Sequence, residues 1–139
     1  MCCYNRLFDE SFSEEILLES KSVVKIQQKI IQKDFELATS FMLHYENYRK
    51  KNIKQREKID FFIKMNRNIY VGIESVEELK ILSEKIISSG IKEKDAYHLA
   101  SAIFAKCDYF ITVDKRILKF NSDKIKVINP VEFLKILEV

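Results

Sequence analysis

Glycine and proline are nearly absent, with two Gly and one Pro in 139 residues. Breaks in the chain are therefore few, and with Lys, Glu, Ile and Leu dominating, long helices are favoured over strands. Cysteine is scarce as well. Cys2, Cys3 and Cys107 make no C-x-x-C pair and no disulfide framework, which points to a reducing compartment. Long hydrophobic runs are missing. The most apolar stretch, Ala96 to Val113, is interrupted by His98, Lys106 and Asp108, which a membrane-spanning helix tolerates poorly, so no membrane association is expected. Met1 leads straight into Cys2, Cys3, Tyr4, Asn5 and Arg6 without the pattern of a signal peptide, and a cytoplasmic protein is the expectation. Neither sign of charge dominates. The 24 basic and 21 acidic residues leave +3, a mild excess that helps with a polyanion without indicating one.

What is present fits a single domain over residues 1–139. The hydrophobic fraction of 47 % and the aromatic fraction of 12 % supply enough buried area to offset conformational entropy, which excludes disorder. Ser13 followed by Glu14 and Glu15 caps a first helix to about Gln32, with Ile16, Leu17, Val23, Val24, Ile26, Ile30 and Ile31 at roughly helical spacing. A short strand at Phe35 to Thr39, a helix from Phe41 to Lys51, a helix from Ile53 to Met65 and a strand at Ile69 to Ile73 follow. The S-x-x-E pattern of Ser75 and Glu78 opens a helix that Gly90 ends. Asp95 to Lys106 reads as a helix with a narrow apolar face, Tyr109 to Val113 as a buried strand and Lys124 to Ile128 as another. Pro130 then begins a closing helix to Leu137. Strand alternating with helix predicts an α/β domain whose parallel sheet is covered on both faces.

In such sheets active groups gather where strands end and helices begin. Asp114 lies just past the run Tyr109 to Val113, and Asp95 opens the helix that leads into it. If that helix runs antiparallel to the strand, the two carboxylates meet. Glu46, on the helix after the strand near Ala38, starts from the same edge. Three carboxylates at one edge repel each other unless a cation lies among them, and an oxygen-only set suits Mg²⁺ or Mn²⁺ better than zinc. Such ions lower the pKa of a bound water and stabilise charge on a phosphate, which makes phosphodiester hydrolysis the natural reaction. Taken singly, each residue has a plainer reading: Asp95 as a helix cap, Asp114 as a turn residue, Glu46 as part of a solvated face.

The stretch Lys92 to Leu118, KEKDAYHLASAIFAKCDYFITVDKRIL, resembles the second half of PIN domains, the fold of VapC-like toxin ribonucleases. That pattern is an Asp opening an Ala- and Leu-rich helix, a short apolar strand and a T-x-D or T-x-N turn, matched here by Asp95, Thr112 and Asp114. TSFMLHYE, Thr39 to Glu46, resembles the second acidic site of the family, and KVINPVEFL resembles its final strand, Asn-Pro and closing helix. CCYNRLFDE resembles the segment after the first strand in a bacterial subgroup.

The resemblance implies a three-layer α/β/α PIN-like domain with a short parallel sheet in the order 3-2-1-4-5. It further implies a metal-dependent endoribonuclease using Mg²⁺ or Mn²⁺ on Glu46, Asp95 and Asp114 with Thr112 in support, an antitoxin protein that blocks the site, and a homodimer. The first strand and its Asp would precede Cys2, and Asp9 does not replace that Asp because it follows the matching segment. The first strand is thus read as missing or vestigial, through an upstream start codon or a truncated gene, leaving its two neighbours with unpaired backbone groups. The alternatives are a non-catalytic PIN-like module that binds RNA or protein, inactivated by loss of the first Asp, and a helical adaptor whose acids are incidental.

Arg6, Lys115 and Arg116 are candidate phosphate contacts, with charge balance among the acids as the competing account. The run Arg49 to Arg56 reads as a solvated basic face rather than a backbone track. Zinc is set aside because His44 and His98 are the only histidines and Cys107 has no partner at ligand spacing. Cys2 or Cys3 as a nucleophile is set aside because nothing nearby supplies a base.

Overall fold

The first long helix begins where a capping side chain allows it. In the computed structural model, which describes residues 2–6, 8 and 13–137, Ser13 Oγ accepts the Ile16 amide and starts α2, Glu14–Ile31, with Glu14 and Glu15 in the favourable first turn. A five-residue helix that composition does not announce, α1 at Cys2–Arg6, precedes it and packs against it. The chain continues as β1 (Leu37–Ser40), α3 (Phe41–Tyr48), α4 (Ile53–Asn66), β2 (Arg67–Val71), α5 (Val76–Ser88), α6 (Glu93–Phe104), β3 (Tyr109–Ile111), α7 (Lys115–Leu118), β4 (Lys126–Ile128) and α8 (Pro130–Leu137). The architecture is mixed α/β and 65 % helical. Among the described residues no helix is long and apolar enough to cross a membrane.

The strands form two parallel pairs. β1 lies beside β2 with Ala38 opposite Ile69, and β3 beside β4 with Phe110 opposite Val127. Among the described residues these are two separate two-stranded sheets, where the sequence predicts one continuous sheet. At three to five residues each, the strands carry few backbone pairs. The helices therefore supply most of the packing.

Three apolar clusters hold the elements. Val71, Leu79, Ile86, Ala96, Leu99, Ala100 and Ile117 join β2, α5, α6 and α7. The small side chains of Ala96 and Ala100 let α5 and α6 approach closely. Ile26, Ile128 and Phe133 bind α2 to β4 and α8, with Phe35 and Tyr109 both against the Phe133 ring. Leu43, Ile59 and Ile63 join α3 to α4, with Tyr4 of α1 lying over Phe62. Burial pushes the Tyr4 hydroxyl far above its ordinary range and keeps it neutral.

Helix ends agree with expectation at Ser13 and Gly90 and depart from it at Ser75 and Asp95. Gly90 follows α5 at φ +103° and donates to the Ile87 carbonyl, as a C-terminal glycine should. The Ser75 capping box does not form. A 3-10 turn over Ile73–Ser75 leaves Ser75 at φ −92°, ψ 6°, not the extended backbone that carries a capping oxygen over the next turn. α6 starts at Glu93 with Lys92 before it, so Asp95 is a first-turn residue and not the cap. Open space surrounds the position where a Gly90 Cβ would lie. Gly90→Ala is therefore expected to cost only backbone strain, about 1–2 kcal/mol, read as a lower urea midpoint with an unchanged slope.

Candidate functional site

α6 carries Asp95 and packs against α3, which carries Glu46, while Asp114 follows β3, the next strand after α6. Glu46, two residues before the end of α3, presents Oε1 at 2.8 Å from His98 Nε2 and 3.4 Å from Lys94 Nζ. Lys94 and His98 are one turn apart and share a face of α6. The Glu46 and His98 side chains are 12 % and 13 % exposed, which places the pair largely out of water. Burial alone would raise the Glu46 carboxyl, but the His98 hydrogen bond and the charges of His98 and Lys94 outweigh it and hold the group at about 2.

Asp114 caps α7, accepting the Arg116 amide at 2.9 Å on Oδ1 and the Arg116 guanidinium at 3.4 Å on both oxygens. Its own amide donates to Thr112 Oγ1 at 3.1 Å. Thr112 is fully buried and extends the β3 ladder by donating its amide to the Ile128 carbonyl. The T-x-D turn is thus a rigid unit fixed to the end of β3. Burial again favours the neutral carboxyl of Asp114, and the Arg116 backbone and side-chain bonds with the Arg116 charge overcome it, leaving a pKa below the usual aspartate range.

Asp95, half-buried in the first turn of α6, lines a cavity of about 360 Å³ whose wall also includes Arg116. Arg116 therefore touches Asp114 and borders the space that Asp95 faces. Glu46 is held by the same helix through Lys94 and His98. As the side chains lie, no group of three or more His, Cys, Asp or Glu residues among those described stands ready to hold one ion. The donor chemistry nevertheless fits a hard cation, since Glu46 and Asp114 are both kept ionised and offer only oxygen. Their present partners are Lys94, His98 and Arg116 of the protein itself.

The candidate phosphate contacts are each engaged by an acid. Arg6 Nε lies 3.5 Å from Glu19 Oε1, Lys115 Nζ 3.6 Å from Glu15, and Arg116 meets Asp114. Glu19 is buried and also accepts Asn129 Nδ2 at 3.0 Å, while Asn129 Oδ1 caps α8 at the Val131 amide. His44 is shared by Arg67 at 3.0 Å and Asp60 at 3.6 Å, and His98 by Glu46, so both histidines serve polar pairs. Sequence reasoning misses Glu19, Asn129, Lys94 and the Glu46–His98 pair. Only the four-residue spacing of Lys94 and His98 is visible locally.

The buried Glu46 pair has a pH consequence. A carboxyl held at about 2, below its ordinary 4.5, stabilises the fold fully above pH 4.5 and progressively less as pH falls toward 2. The loss is expected to reach about 2–3 kcal/mol, and His98→Gln, which keeps a donor but no charge, is expected to shrink it. Urea midpoints between pH 5 and 2.5 measure both. An equal acid loss in the wild type and in Glu46→Gln would remove the pair as its source.

Compared with models of known protein families, the chain matches none. It also matches no curated protein.

Proposed function

We propose that the chain is a PIN-like nuclease domain that cleaves single-stranded or structured RNA with Mg²⁺ or Mn²⁺, using Glu46, Asp95 and Asp114. The observation that carries this reading is Arg116, which binds Asp114 at the end of β3 and borders the cavity that Asp95 lines at the start of α6. A helix start and the following strand's end are thereby linked through one side chain, as a crossover helix before a parallel strand requires. The two strand pairs add support. β2–β1 and β3–β4 are the pairings that the order 3-2-1-4-5 retains when its central strand is taken away. A three-layer PIN-like arrangement is the finer form of the mixed α/β fold.

Each residue then has a task. Thr112 fixes Asp114 through the Asp114 amide, and the depressed pKa values keep Glu46 and Asp114 anionic at neutral pH. A divalent ion on these carboxylates supplies Lewis acidity toward the scissile phosphate. Arg116 pairs with Asp114, and Lys94 and His98 pair with Glu46, the contacts that a divalent ion on these oxygens would replace. A toxin role with a separate antitoxin, and a homodimer, belong to the same proposal and rest on the resemblance alone.

The second reading is a non-catalytic PIN-like module that binds RNA or protein. It is favoured by the neutralisation of Glu46 and Asp114 by the protein's own cations. Incubation of single-stranded RNA with the purified chain and Mn²⁺, with EDTA as control, separates the two. Metal-dependent fragments support the nuclease, and intact RNA at saturating Mn²⁺ leaves the binding module. A melting temperature raised by Mn²⁺ in the wild type, but not in Asp114→Asn, independently reports binding of the ion at Asp114 in the folded state.

A further inference from the structure

The cavity that Asp95 lines extends well beyond the carboxylates. Its wall runs from the α5–α6 turn at Ser89, Gly90, Ile91 and Lys92 to the segment around α7 at Arg116, Ile117, Lys119, Phe120 and Asn121. Its volume of about 360 Å³ lies within the range of roughly 300–1,000 Å³ usual for small-ligand sites. Three cations and one carboxylate face it. Arg116 is committed to Asp114, whereas Lys92 and Lys119 make no ion pair among the described residues. Two uncommitted ammonium groups over a concave surface attract an anion. Phe120 adds a half-buried aromatic ring, anchored at its base in the cluster around Leu99, and Asn121 beside it is exposed with both donor and acceptor to offer.

Cations for phosphate, a fixed ring for stacking and an amide for a base edge are the components of a nucleotide site. We propose that this cavity is a subsite for one nucleotide of single-stranded RNA, its base against Phe120 and its flanking phosphates on Lys92 and Lys119. The assignment rests on the nuclease reading for the identity of the polymer. The cavity's lining puts the bound phosphodiester next to Asp95 and within reach of Arg116. Arg116 joins the two regions and is able to exchange an Asp114 oxygen for a phosphate oxygen as substrate enters. Specificity for the base at this position arises at Asn121. The basic stretch around α4 lies outside this cavity's lining and serves as the comparison surface.

The test is fluorescence anisotropy of a labelled single-stranded RNA oligonucleotide on the full chain in EDTA, so that cleavage does not intervene. Binding is measured across a salt series. For a single strand, every phosphate that no longer meets a protein cation lowers the slope of log K against log salt by about 0.7. The double variant Lys92→Gln/Lys119→Gln is therefore expected to lower it by about 1.4, while Lys51→Gln/Lys54→Gln on the α4 side leaves it unchanged. Phe120→Leu keeps an apolar group in the core and removes the ring face. It is expected to weaken binding about fivefold or more at every salt concentration, with the slope intact, as the absence of stacking predicts. Thermal melts of each variant establish that it is folded.

An unchanged slope in the cavity double variant, or a slope change confined to the α4 variant, overturns the subsite. So does wild-type chain that binds no oligonucleotide. The nuclease reading fails separately: RNA bound through the cavity but left intact with Mn²⁺ keeps the subsite and removes the chemistry.

Discussion

Asp114→Asn is expected to reduce Mn²⁺-dependent RNA cleavage by at least about 100-fold, or ~3 kcal/mol of barrier, while leaving the fold nearly as stable as before. The asymmetry follows from what the side chain does in each role. As a cap it needs one oxygen to accept the Arg116 amide at 2.9 Å, and an asparagine oxygen serves as well as an aspartate one. As a ligand it needs negative charge on that oxygen. The amide has none, and it presents an NH₂ group where the second oxygen was. The exposed Arg116 ion pair also disappears, which costs about 0–1 kcal/mol at the surface. Initial rates and urea midpoints on the same preparation separate the two effects. Cleavage that survives in Asp114→Asn removes this residue from the chemistry. A large drop in stability would instead make it an essential structural cap.

Local features of the fold are readable from the sequence because their causes are local. Ser13 and the periodic apolar residues after it define α2 to within a residue or two, and Gly90 ends α5 where its positive φ is needed. The T-x-D turn is legible for the same reason, since the Thr112 and Asp114 hydrogen bond spans two residues. α1 and α7 escape notice because helices of five and four residues carry too few apolar positions to show a period. The division into two strand pairs is not legible in the strands themselves and follows only from the expectation that the central first strand is missing. Pairing is decided by which short strands find neighbours in space, and runs such as Tyr109 to Val113 read alike in either case.

At the candidate site, the sequence names the residues but not their partners. Glu46 and His98 lie 52 positions apart and Asn129 and Glu19 lie 110 apart, so no window along the chain contains either pair. As a zinc ligand, His98 would ask for companions of its own kind. What it has among the described residues is the Glu46 carboxylate, 2.8 Å away. Lys92 and Lys119 give no signal either. Isolated lysines in a chain with 24 basic residues look like solvated surface until a cavity is seen between them.

The sequence leaves Arg6 two accounts, phosphate contact and charge balance, and a single substitution distinguishes them. With its guanidinium 3.5 Å from a Glu19 carboxylate that is only 5 % exposed, Arg6 neutralises a buried charge that also holds Asn129 and, through it, the start of α8. Removing one partner of such a pair strands the other, at a cost of about 3–5 kcal/mol, a large part of the ~5–15 kcal/mol that holds a domain together. Arg6→Met, which keeps the length of the side chain, is therefore expected to lower the free energy of unfolding by about 3 kcal/mol. The remaining Asn129 hydrogen bond places the loss at the lower end of that range. Adding Glu19→Gln to the same chain is expected to recover most of it, because the neutral amide leaves no stranded charge and its oxygen still accepts Asn129 Nδ2. RNA affinity, measured below the transition, is expected to be unchanged in both variants. If instead Arg6→Met keeps its stability and binds RNA more weakly with a lower salt slope, the guanidinium contacts phosphate and Glu19 is its resting partner. Double-mutant recovery and salt slope cannot both follow from one of these roles, so the pair of measurements decides whether α1 belongs to the scaffold or to the substrate path.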